Sequence, residues 1–103
     1  MKYYIGFDLG GTKVVAAALD EDFEILSRAK EKAGVDKGIN NVYKAICSVI
    51  KKACSKANID IKDVIAIGGC SPGLICPKTG TVLDSPNLGF KGFPLKKKLE
   101  KDF

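Results

Sequence analysis

Along the first part of the chain, apolar side chains alternate with polar or small ones. Tyr3, Ile5, Phe7 and Leu9 fall on one face and Tyr4, Gly6 and Asp8 on the other, the period-two pattern of a strand. Val14–Leu19 and Phe23–Ala29 read as two further strands, with Asp20-Glu21-Asp22 as the polar turn between them. Short turns join all three, which predicts an antiparallel meander. The period then changes. Val42, Ala45, Ile46, Val49, Ile50, Ala53 and Ala57 recur at helical spacing, with Lys44, Lys51 and Ser55 opposite, so an amphipathic helix follows the meander. Asn58 is its expected stop, and Lys51, Lys52 and Lys56 suit the negative pole of the helix dipole. Asp63–Gly69 is apolar on both faces, as expected of a central strand lying parallel to the first after a helical crossover. Leu74–Leu83 reads as a short hairpin around Pro77-Lys78-Thr79-Gly80, and Pro94 as the opening of a final helix through Leu95, Leu99 and Lys101. The pattern is that of an α/β domain.

Between the first two strands stands Asp8-Leu9-Gly10-Gly11-Thr12-Lys13. Two adjacent glycines permit positive φ angles and so fit a tight hairpin between twisted strands. A phosphate could approach the backbone amides of Gly10 and Gly11 closely, while Thr12 adds a hydroxyl and Lys13 a positive charge. Asp8, at the mouth of the turn, could hold a hydrated Mg²⁺ between itself and the phosphate oxygens. Taken alone, the six residues fit a plain Gly-Gly hairpin equally well. They form neither a P-loop nor the dinucleotide fingerprint.

At 103 residues, 46% hydrophobic and 28% charged, the chain is one ordinary globular domain at most. Its formal net charge of +5 admits nucleic acid, yet no helix-turn-helix pattern, zinc-ligand spacing or aromatic-interleaved basic stripe accompanies it, so none is expected as a partner. No apolar run approaches membrane-spanning length, and Met1-Lys2 leads directly into a strand, so the expected location is the cytoplasm, away from any membrane. Cys47, Cys54, Cys70 and Cys76 form no Cys-x-x-Cys pair, and the chain has no histidine. They read as reduced, small core residues.

Three segments carry a family resemblance: the Asp8–Lys13 hairpin, then Ile65-Ala66-Ile67-Gly68-Gly69-Cys70-Ser71-Pro72-Gly73-Leu74 with Thr79-Gly80-Thr81-Val82-Leu83, then Ser85-Pro86-Asn87-Leu88-Gly89-Phe90-Lys91-Gly92-Phe93-Pro94-Leu95. In this order they resemble the amino-terminal lobe of the ROK family (repressors, open reading frames, kinases), and the bacterial glucokinase type within it. The resemblance runs from Tyr3 to Leu99 and implies the ribonuclease H-like fold shared by actin-like ATPases and sugar kinases. Residues 1–103 would be a partial amino-terminal lobe, incomplete at the C-terminus. The implied activity is ATP- and Mg-dependent phosphorylation of a hexose, glucose above all. Asp8, Gly10, Gly11, Thr12 and Lys13 would then bind the nucleotide phosphates, with Asp8 holding Mg through water. Gly69, Ser71, Pro72, Gly73, Ser85 and Asn87 would border the sugar, although Ser85 and Asn87 also fit turn chemistry around Pro86.

In the resembled kinases the catalytic base is the Asp of an Asn-Asp pair on the strand after the helix that begins here near Pro94. That strand, the zinc-binding cysteines and the second phosphate loop have no counterpart in these residues, so the chain alone is expected to be inactive. Two other readings stand beside the kinase. One is the sugar-sensing domain of a family repressor, which normally carries a helix-turn-helix upstream and often degrades the phosphate hairpin, intact here. The other is a binding or assembly fragment without chemistry. The strand Val64–Ile67, unpaired on one side, would also invite self-association.

Overall fold

The computed structural model describes residues 2–10, 12–34, 38–70, 74–76, 81–85, 90–93 and 95–103, and within 70–96 it describes backbone elements alone. The elements are β1 (Tyr3–Leu9), β2 (Lys13–Leu19), β3 (Ile25–Lys32), α1 (Ile39–Ala57), a 3-10 turn (Ile61–Asp63), β4 (Val64–Cys70), β5 (Leu74–Cys76), β6 (Thr81–Ser85), β7 (Phe90–Phe93) and α2 (Leu95–Asp102). One sheet has the order β3-β2-β1-β4 and a second the order β5-β6-β7. In the first, β1 pairs antiparallel with β2 and parallel with β4, and β2 pairs antiparallel with β3. This is the expected meander, crossover helix and parallel strand.

The alternation of β1 places Ile5, Phe7 and Leu9 in the core, together with Val14, Ala16 and Ala18 of β2. Helix α1 packs across β1, β2 and β3 and buries Val42, Ile46, Val49, Ile50 and Ala53 completely. Each of the larger side chains contributes about 1.5–3 kcal/mol by leaving water. Small Ala16, Ala18 and Ala29 beneath the helix let it approach the sheet closely. The helix stops where its sequence says it should. Asn58 takes the left-handed conformation (φ 57°), its amide donating to the Ser55 carbonyl at 3.1 Å while the Ile59 amide reaches Cys54 O at 3.0 Å. At the start no side chain caps it, and the Gly38 carbonyl accepts from the Asn41 and Val42 amides.

Three features differ from the sequence reading. Phe23 is a turn residue and not the start of a strand. The Asp20 carboxylate accepts from the Asp22 and Glu24 amides at 2.9 and 3.0 Å, winding the turn tightly. Phe23 is thereby held at φ 61°, with its ring 5.0 Å from that of Tyr4, and β3 begins two residues later. Second, the lysines at the end of α1 reach β3: Lys52 pairs with Glu31, and Lys56 Nζ donates to the Arg28 carbonyl at 3.0 Å. The Lys52 contact, with help from Ser48, holds the Glu31 carboxyl below its ordinary pKa against the opposing effect of burial. As expected of a strand unpaired on one side, β4 pairs with β1 alone among the described strands, and Ile65 on it is 53% exposed. Third, β7 is a strand that the sequence pattern does not predict. It pairs antiparallel with β6 and extends the expected β5–β6 hairpin to three strands.

Helix α2 starts at Leu95, where Pro94 implied it would, and Leu99 and Phe103 pack against the core. The Tyr43 hydroxyl donates to Asp102 Oδ2 at 2.6 Å, and Lys98 Nζ lies 5.4 Å from the centre of the Tyr43 ring. Burial first, and the Asp102 carboxylate second, push the Tyr43 phenol well above its ordinary pKa. The fold therefore favours the neutral phenol, and that stabilisation is complete below the ordinary phenol value and lost as pH rises past it. Tyr43→Phe is expected to lower stability by about 1 kcal/mol near neutral pH. Denaturant titrations from neutral to above about pH 10 should show the wild type losing more stability than the variant. Cys47 and Cys54 are free thiols, Cys54 buried and Cys47 half-buried, and burial raises the pKa of both. The side chains of Cys70 and Cys76 lie outside the description.

Candidate functional site

Because β1 and β4 run parallel, their carboxyl ends open at the same end of the sheet, the end where α/β folds of this kind hold ligands. Asp8 is exposed there, in register with Val15 on one side and Cys70 on the other. The hairpin after it brings Thr12 and Lys13 out as exposed side chains next to the same end. Asp8, Gly10, Thr12, Lys13 and Gly69 are thus gathered into one region. Ser85 ends β6 in the second sheet, paired with Phe90. Gly11, Ser71, Pro72, Gly73 and Asn87 lie outside the described residues.

The hairpin uses its first glycine differently from the expectation. Gly10 does not take a positive φ. Its amide donates to the Lys13 carbonyl at 2.9 Å, closing the turn, and a Cβ there would sit 3.2 Å from that same oxygen. Gly10 is therefore favoured by close approach within the turn, and its N–H is already committed. Thr12 is held from the other side, its carbonyl accepting from the buried Ala33 amide at 3.0 Å. These two bonds fix the positions from which the Thr12 hydroxyl and Lys13 ammonium project. Among the described residues, no group of three or more Asp, Glu, Cys or His side chains could hold a metal ion. The lone exposed carboxylate of Asp8 fits a magnesium ion that keeps most of its waters and takes other ligands from phosphate.

Gly69 also has a packing reason for being glycine. It pairs with Phe7, and a Cβ on Gly69 would overlap three carbons of the Phe7 ring. Gly68 has no such neighbour within 4 Å. Gly69→Ala is expected to cost roughly 1–3 kcal/mol of stability by overpacking, while Gly68→Ala changes it little. Adding Phe7→Leu to Gly69→Ala should restore part of the loss in the same denaturation measurement. The periodicity of β1, which puts Phe7 inward, and the parallel pairing together contain this contact, but only once the register is known.

The ROK family pattern matches residues 4–103. The chain belongs to the ROK family. It is 32% identical over 101 residues to a glucokinase of Halalkalibacterium halodurans, covering 98% of this chain and 31% of that protein. A xylose repressor of Caldicellulosiruptor bescii is 31% identical over 101 residues, covering 96% of this chain and 25% of the repressor. The crystal structure of a ROK family glucokinase from Streptomyces griseus, in complex with glucose and AMPPNP, superposes with a TM-score of 0.83 at 34% identity over 97% of this chain and 30% of that one. The ROK chain described here therefore has the ribonuclease H-like fold of the family's sugar kinases, as a partial domain. It spans about a third or less of the length of these relatives.

Proposed function

We propose that residues 1–103 are the phosphate-hairpin and sugar-loop portion of an ATP-dependent hexose kinase of the cytoplasm, with glucose as its hexose. The observation that carries this reading is the intact Asp8–Lys13 hairpin placed beside the carboxyl end of β4, so that a phosphate site and a sugar site would adjoin. The Thr12 hydroxyl and Lys13 ammonium are assigned to nucleotide phosphate oxygens, with Gly11 as the open approach to the backbone. Asp8 is assigned to magnesium through water; when bound, the ion neutralises phosphate charge. Gly69, Ser71, Pro72, Gly73, Ser85 and Asn87 are assigned to the hexose, Gly69 by shaping the strand end under Phe7. A glucokinase name on one relative and a glucose and AMPPNP complex of another support these assignments.

The repressor relative supports a second reading, a sugar sensor without chemistry. The two are separated by joining residues 1–103 to the remaining part of the Halalkalibacterium glucokinase. The kinase reading expects the chimera to form ADP in proportion to added glucose. A folded chimera that binds glucose in calorimetry yet leaves ATP unused would establish the sensor.

A further inference from the structure

We infer that helix α1 anchors the phosphate hairpin through the corner Ala33-Gly34, which makes Gly34 and Glu31 positioning residues for Thr12 and Lys13. This role rests on the phosphate assignment of those two residues proposed above. Lys13 pairs with Lys32 at the end of β3, and one residue further the buried Ala33 amide donates to the Thr12 carbonyl at 3.0 Å. Whatever fixes Ala33 therefore fixes the β2 arm of the hairpin. Helix α1 does so on either side of it. Before Ala33, the Glu31 carboxylate accepts from the Ser48 hydroxyl of α1 at 2.8 Å and pairs with Lys52 one turn further along the helix. After it, Gly34 bends the chain at φ 70°, so close to the first turn of α1 that a Cβ there would stand 2.8 Å from Asn41 Nδ2. Ala33 itself belongs to the same buried core as Val42 and Ile46 of the helix.

The backbone of Gly34 is the part of this corner that a side chain disturbs, because a residue with a Cβ resists the left-handed region. Buried Val42 and Ile46 hold α1 in place. Relief of the strain falls on the connecting chain, and Ala33 is the end of that chain that carries the Thr12 bond. The far end of α1 offers a matched comparison. Asn58 is left-handed too, at φ 57°, but its amide donates to the Ser55 carbonyl, at the end of the helix away from the hairpin. Strain at Asn58 costs stability without touching Ala33.

Amide hydrogen exchange on the full 103-residue chain tests this, beside steady-state kinetics of the glucokinase chimera. Exchange at Ala33 is read relative to the Ile46 amide in mid-helix, so that a general loss of stability cancels. Gly34→Ala is expected to speed that relative exchange and to raise the KM for ATP, each by about tenfold, with the KM for glucose unchanged. Asn58→Ala should lower thermal stability yet leave both readouts within about twofold. Gly34→Asn should recover most of the loss, because asparagine tolerates the left-handed region. Equal effects of Gly34→Ala and Asn58→Ala would reduce the corner to a stability role and overturn the inference, as would an unprotected Ala33 amide in the wild type. Faster exchange at Ala33 with unchanged ATP kinetics would overturn the phosphate assignment and, with it, the positioning role. Should Gly34→Ala fail to fold by circular dichroism, Glu31→Gln decides, since it keeps the side-chain shape and loses the charge that pairs with Lys52. Faster Ala33 exchange in that variant supports the anchor, and unchanged exchange refutes it.

Discussion

Purified residues 1–103, given glucose and MgATP, are expected to show no glucose-dependent ADP formation above the buffer rate. Phosphoryl transfer to a sugar hydroxyl needs a group that takes the proton and a frame that holds hydroxyl and terminal phosphate in line. Among the described side chains, Asp8 is the carboxylate at the carboxyl ends of β1 and β4, and it is assigned to the phosphate side. Asp20 winds the β2–β3 turn, Asp60 caps the 3-10 turn ahead of β4, Glu31 is paired with Lys52, and Asp102 is bonded to Tyr43. Each is occupied by a structural task, Glu31 doing so on β3 beside the hairpin's second strand. Holding reactants in place accounts for about 7–11 kcal/mol of a catalysed barrier, and one hairpin with one strand end supplies little of it. A coupled assay with contaminating kinase removed checks this. Turnover proportional to the chain would show that a base lies within these residues.

The parts of the fold that were legible in the sequence are those where one local rule acts without competition. Val42 through Ala57 carry a clean helical stripe, Asn58 ends it with a conformation its short side chain tolerates, and Ile5, Phe7 and Leu9 alternate into a core. The misread places are those where a second, non-local fact decides. Phe23 has strand propensity, but the Asp20 carboxylate gathers the Asp22 and Glu24 amides and leaves Phe23 in a left-handed turn. The site divides the same way. The hairpin was legible as a motif, yet the reason for Gly10 is a carbonyl three residues away, and the reason for Gly69 is a ring on the neighbouring strand.

Gly10→Val in the glucokinase chimera is expected to lower kcat/KM for ATP by about 10²-fold while leaving glucose binding without nucleotide unchanged. The Cβ alone would sit 3.2 Å from the Lys13 carbonyl, a fit that a small shift can accommodate, so Gly10→Ala should be mild. The two further methyls of valine demand more room. The Lys13 carbonyl is the acceptor that the Gly10 amide needs to close the turn, so making room breaks the bond that orders the hairpin. Thr12 cannot follow freely, because its carbonyl is tied to the Ala33 amide. The displacement therefore falls on Lys13 and on the turn itself, moving the hydroxyl and ammonium assigned to phosphate. The strand end at Gly69, on the other side of β1, keeps its packing against Phe7, which is why the sugar side should be spared. Steady-state kinetics with ATP varied, beside calorimetry with glucose alone, separates the two. Equal losses for ATP and glucose would mean that valine has unfolded the lobe, and wild-type ATP kinetics would remove the hairpin from the phosphate site.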